Sequence, residues 1–168
     1  TETWRKMVEL GWTGIIVPED FGGSGMDLKT FGVVLEELGR GLTASPLFAS
    51  SLVGASALMI AGSDAQKREW LPKIANGQAI VTLAVDEGPH HHPAGVALAA
   101  SGTGDGYTLS GNKTFVIEGG TADVFVVAAR TSGVPGDEAG ISLFLVPGDA
   151  AGLTRSPLAM ADARGYAD

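Results

Sequence analysis

Cysteine is missing from the 168-residue sequence. That excludes a disulfide framework, a thiolate metal site and a cysteine nucleophile, and it fits a reducing, cytoplasmic setting. Basic charge is scarce: 11 Lys and Arg stand against 19 Asp and Glu, a formal net charge of −8. Nucleic acid and an anionic membrane would both repel such a chain, so neither is expected as a partner. No apolar run approaches the roughly 20 residues that a membrane helix needs. An n-region followed by an apolar h-region is also missing, so no signal peptide is read. The sequence begins at Thr1 rather than Met and is inside a helical pattern by Trp4, while Asp168 ends a polar stretch that closes nothing. Both ends are expected to be cut.

Hydrophobic residues make up 45% of the chain, enough for a packed core and one ordinary domain or two small ones. The first half reads as helices. Trp4, Met7 and Val8 are spaced i, i+3, i+4, and Gly11 stands where a left-handed C-cap belongs. Ile15, Ile16 and Val17 form a short apolar run that Pro18 ends, and Phe21 to Gly25 is too glycine-rich for a helix. Asp27 is the expected N-cap of the next helix, whose Phe31, Val34, Leu35 and Leu38 share one face. Ser45-Pro46 predicts another start, with a helix running through Leu58 and Ile60 to Gly62. Ser63 and Gln66 predict a capping box on a last helix that buries Trp70, Leu71 and Ile74 and stops at Gly77.

The period then changes. Short apolar runs at 79–85, 96–101, 107–109, 114–117, 124–129 and 141–146 are bounded by Gly, Asn, Asp or Pro. Gly102 to Gly106 and Ser110 to Asn112 read as tight turns between paired strands. With no helical pattern between them, these runs predict an antiparallel β-barrel or sandwich. The fold class expected is α+β: a truncated helical unit over residues 1–78, then a β domain over 79–168. Ser132 to Gly140 reads as an exposed loop.

Four segments in order resemble the acyl-CoA dehydrogenase family. They are Leu10-Gly11-Trp12-Thr13-Gly14 through Val17-Pro18-Glu19-Asp20-Phe21-Gly22-Gly23-Ser24-Gly25; Val34 to Arg40; Gly62-Ser63-Asp64-Ala65-Gln66-Lys67 through Trp70-Leu71-Pro72 to Gly77; and Leu109 to Val116 with Ala122-Asp123. Together they span most of the chain. The resemblance implies FAD-dependent removal of hydrogens from the α and β carbons of an acyl-CoA thioester, in fatty acid metabolism. It also implies a homo- or hetero-oligomer and an electron-transfer flavoprotein as acceptor. In the family a carboxylate abstracts the α-proton while the flavin takes the β-hydride. That base is expected in a C-terminal helical domain beyond Asp168, so no catalytic residue is assigned here and residues 1–168 alone are expected to be inactive.

The family's first flavin motif, A-x-T-E-P-x-x-G-S-D, corresponds to Ala84-Val85-Asp86-Glu87-Gly88-Pro89-His90-His91-His92-Pro93. Glu87 matches, whereas Asp86 stands for the threonine and His92 for the serine. The second, K-x-W-I-T, corresponds to Lys113-Thr114-Phe115-Val116-Ile117, with Phe115 in place of tryptophan and Ile117 in place of threonine. The resemblance thus assigns Val85, Asp86, His92, Phe115 and Ile117 to the flavin. Phenylalanine still stacks on the ring, but isoleucine keeps only backbone hydrogen bonds. A carboxylate at 86 would oppose the charge of reduced flavin. Two readings follow: the flavin is held by backbone amides and other domains, or this chain is the flavin-poor, structural subunit of a heteromeric enzyme.

Other motifs carry less. Phe115 would also suit a strand face as an ordinary aromatic. Adjacent His90, His91 and His92 converge poorly on one ion and read better as a solvated loop than as a metal site. Gly22, Gly23 and Gly25 lack the Gly-Lys-Ser/Thr ending of a phosphate loop. Glu36 and Glu37 read as a solvated helix face, and no G-x-S-x-G elbow is present.

Overall fold

The computed structural model describes every residue except Asp105 and Ala163. The chain is α+β, helical first and β-rich after it. Helix α1 spans Glu2–Glu9, with the Thr1 side chain accepting from Trp4 N and Gly11 in the left-handed region at φ 73° just past its end. Helix α2 spans Leu28–Arg40, and Asp27 caps it through Thr30 N at 2.9 Å. Helix α3 covers Ala55–Ala61 and α4 covers Asp64–Ala75, the latter opened by the Ser63–Gln66 capping box. The starts of α2 and α4 agree with the sequence reading because each is decided within one turn by a side chain that supplies a missing hydrogen bond.

Between Pro46 and α3 the chain departs from expectation. Ser45 Oγ accepts from Leu47 N as a cap should, but Phe48–Gly54 is a π-helix rather than α. The wider coil turns Ser50 toward the sheet, where its Oγ donates to Ala79 O and accepts from Val81 N. Gly54 sits so close to the Val81 backbone that a Cβ has no room there.

The β portion comprises β1 (Val81–Ala84), β2 (Ala99–Thr103), β3 (Gly106–Ser110), β4 (Val116–Ile117), β5 (Val124–Arg130), β6 (Ile141–Pro147), β7 (Pro157–Leu158) and β8 (Tyr166–Ala167). Within the expected α+β class, the antiparallel barrel or sandwich read from the sequence is corrected: the sheets are not closed and the pairing is mixed. Two open sheets are present instead, and β1 runs parallel to β5 in the register Val81↔Val124 to Ala84↔Val127. Strand β2 also meets β5 in parallel, at Ala99↔Arg130. Strands β5–β6 and β2–β3 are antiparallel, and the turn between the latter includes Asp105, which lies outside the described residues. Ser110 to Asn112 does not join paired strands: β4 pairs with β8 in the second sheet. A strand at 114–117 shrinks to two residues because Lys113, Thr114 and Phe115 bond to loops rather than to a neighbouring strand.

Strand β5 is buried at every residue, so its apolar run is continuous rather than alternating, as suits a strand covered on both faces. One face adds Val124 and Val126 to the helical core of Met7, Val17, Phe31, Leu47, Leu58, Leu71 and Ile74. The other joins Phe125, Val127 and Ala129 to Ala84, Leu98 and Val116. Thr13, fully buried, donates to Ala75 O at 2.6 Å and ties the loop after α1 to α4. Among the described residues no helix is long and apolar enough to cross a membrane.

Candidate functional site

The candidate site lies where the chain leaves β1 and where it enters β4. Its anchor is an ion pair inside the fold. Lys113 Nζ donates to Glu87 Oε1 at 2.6 Å and to Val85 O at 2.9 Å, its side chain only 7% exposed. Glu87 also accepts from Ala97 N at 2.8 Å and Leu98 N at 3.0 Å. Burial by itself pushes the Glu87 carboxyl up. The Lys113 ammonium and the two amides outweigh it and hold the group below its ordinary value. Burial lowers Lys113 from its ordinary value even though Glu87 and Asp86 pull the other way. The pair fixes the two motif segments against each other across 26 residues of sequence.

The five residues assigned from the sequence fall into three places. Val85 and His92 line a cleft of about 280 Å³ with Glu87, Gly88, His90, Gly95 and Val96. The His92 ring lies against Gly95 so closely that no Cβ fits there. Asp86 is joined to the residue before Phe115, Thr114 N donating to Asp86 O at 2.8 Å. Ile117 lies on β4, paired with Tyr166, and its carbonyl accepts from the buried Thr82 hydroxyl at 2.7 Å. The β1 end and β4 are thus neighbours, while Ile117 is reached only by its backbone.

Each side chain has a definite chemical character. The Asp86 carboxylate accepts from His91 Nδ1 at 2.9 Å and 3.2 Å, so the histidine loop folds back onto the position where the family has a hydroxyl. The Asp86 N–H has no intramolecular acceptor among the described residues. Phe115 is 43% exposed, belongs to neither core cluster, and holds φ at 53°. Its N–H donates to the Asp168 carboxylate at 3.2 Å, and Thr114 Oγ1 donates to the same oxygen.

These features bear on a flavin. Its ring face suits the exposed Phe115 ring, which has no packing duty in the core. Its pyrimidine edge is rich in acceptors and needs donors. Asp86, Ile117 and Val85 offer no side-chain donor, so the Asp86 main-chain N–H, with the His92 imidazole in the adjoining cleft, is what this edge of the chain supplies. The residues fit a flavin held by stacking, backbone and an imidazole, not by the family's hydroxyls.

Sequence reasoning missed three participants. His91, read only as part of a solvated histidine loop, partners Asp86, and Asp168, which no motif marks, partners Phe115 from 53 residues away. Arg130 is not singled out in the sequence: the expected strand stops at residue 129. Buried at the end of β5, it donates to the carbonyls of Val96, Ala94, Asp137, Ala139 and Ser132. It thereby holds the cleft wall at 94–96 and organises the loop at 132–140, which is exposed as expected.

Comparison with known proteins places these residues in a family. Residues 1–78 match the acyl-CoA dehydrogenase N-terminal domain, and residues 83–166 match the acyl-CoA dehydrogenase middle domain. The chain is 35% identical over 152 residues to (2S)-methylsuccinyl-CoA dehydrogenase of Cereibacter sphaeroides, covering 88% of this chain and 28% of that protein. It superposes on the ChsE4-ChsE5 complex from Mycobacterium tuberculosis with a TM-score of 0.83 and 32% identity, over 99% of this chain and 44% of that one. A glutaryl-CoA dehydrogenase from Mycobacterium smegmatis in complex with FADH2 gives 0.84 and 28%, over 99% and 43%. The chain therefore spans less than half the length of these relatives. With both domain matches falling in order along it, the chain belongs to the acyl-CoA dehydrogenase family.

Proposed function

We propose that the intact protein is an FAD-dependent acyl-CoA dehydrogenase, oxidising the α–β bond of an acyl-CoA thioester, and that this chain forms one wall of the flavin slot. Residues 1–78 act as the helical unit and 79–168 as the β domain. The observation that carries the reading is the Lys113–Glu87 pair, which brings the two flavin-motif segments together, with Thr114 N bonded to Asp86 O and the next residue, Phe115, exposed. FAD, when bound, supplies the hydride acceptor. Phe115 would stack on it, the Asp86 N–H would donate to it, and the Val85–Val96 cleft would border it. The α-proton base is not assigned to this chain, so residues 1–168 alone do not turn over substrate. An electron-transfer flavoprotein is the acceptor proposed for the assembled enzyme.

A second reading is favoured by one observation. At position 86 a carboxylate engaged by His91 replaces a hydroxyl donor, and at 117 the side chain is apolar. The chain would then be the flavin-poor partner in a heteromer, a reading supported by its likeness to a protein solved as the ChsE4-ChsE5 complex. The visible spectrum of the intact protein, alone and with any co-purifying subunit, tests both. Oxidised flavin absorbs near 450 nm (roughly) and bleaches on addition of a reducing acyl-CoA. Flavin in the assembly but not in the isolated subunit supports the second reading; none in either refutes the proposed function.

A further inference from the structure

We propose that Asp168 is a positioning residue, holding Phe115 in a strained backbone conformation so that its ring stands out from the β4 edge as a platform for a planar conjugated ligand. The proposal rests on the functional reading above for the identity of that ligand, which is the isoalloxazine ring of FAD. Three features carry it; the motif marks Phe115 itself, but neither its strain nor its Asp168 anchor.

The first is strain. Phe115 has φ 53°, a region that bulky residues avoid and that persists only where the surroundings impose it. The second is what imposes it. One carboxylate oxygen of Asp168 accepts both from Phe115 N and from Thr114 Oγ1, and a charged acceptor strengthens such bonds. Asp168 is itself held, because its N–H and C=O both exchange bonds with Ser156. The third is the result. On either side of the turn, Lys113 and Val116 are buried, Lys113 on Glu87 and Val85, Val116 opposite Ala167. Thr114 N is fixed to Asp86 O. Every neighbour of Phe115 is thus pinned, yet its ring is left exposed.

The test uses the intact protein with any co-purifying subunit, and variants Asp168→Ala, Asp168→Asn and Phe115→Leu. Hydrogen exchange at the Phe115 amide reads positioning directly. Asp168→Ala should speed it at least tenfold, Asp168→Asn, which keeps an acceptor oxygen, should restore most of the protection, and the Val127 amide should not change. Titration with FAD reads the platform. Asp168→Ala should weaken FAD binding roughly tenfold, and should add little once Phe115→Leu has removed the ring. An unchanged Phe115 amide in Asp168→Ala overturns the proposal, as does an equal loss of FAD affinity in the Phe115→Leu background. Absence of FAD from the unmodified assembly would instead overturn the functional reading, while amide exchange still decides whether Asp168 holds the turn.

Discussion

Replacing Glu87 with methionine should be among the most damaging single changes at the site, and more damaging than replacing its partner. Glu87→Met leaves the Lys113 ammonium, 7% exposed, with Val85 O as its remaining acceptor. It also takes the acceptor from Ala97 N and Leu98 N. Removing one partner of a buried pair costs about 3–5 kcal/mol. The Glu87 side chain is 21% exposed, so water reaches part of the gap and the lower end applies, about 3 kcal/mol. That is a large share of the roughly 5–15 kcal/mol that holds a domain folded. Lys113→Met leaves a carboxylate still satisfied by two amides, and should cost less, about 1–2 kcal/mol. The double change removes both charges but not the need of Ala97 and Leu98 for an acceptor, so it should recover only part of the loss. Urea unfolding followed by circular dichroism, read as a double-mutant cycle, gives the three values and their coupling. The reasoning is refuted if Glu87→Met lies within 1 kcal/mol of the unmodified protein, or if Lys113→Met proves the costlier change.

The same pair sets an acid limit. Glu87 has a folded-state pKa below its ordinary 4.5, so its contribution is complete above that value and lost as pH falls through the lower folded one. Unfolding midpoints measured between pH 6 and pH 3 should drop below about 4.5, and the drop should shrink in Glu87→Gln. The double change Asp86→Thr with Ile117→Thr restores two hydroxyl donors to the flavin edge. It should raise FAD affinity at least tenfold in a fluorescence titration, at about 1.4 kcal/mol per tenfold. Unchanged affinity would show that the backbone already meets the ring's needs.

What the sequence determined by itself is what a few neighbouring residues decide. Asp27, Ser63 with Gln66, and Gly11 place helix ends because a cap acts within one turn, and the cap residue is the cause of the boundary. The hairpin of β2 and β3 is legible for the same reason, its strands being joined by a short turn. The flavin-motif segments were visible as a resemblance, Glu87 and Lys113 included. The tertiary structure alone decided how distant pieces meet. The parallel pairing of β1 with β5 spans 43 residues from Val81 to Val124, and alternation within a strand says nothing about which strand lies beside it or in which direction. The π-helix at 48–54 exists because β1 packs against Gly54 and Ser50, a contact with no local trace. The strained Phe115 and its Asp168 anchor belong to the same class. Neither residue predicts the other from type or spacing, since a carboxylate finds its donors in space only after the sheets have brought residues 115 and 168 together.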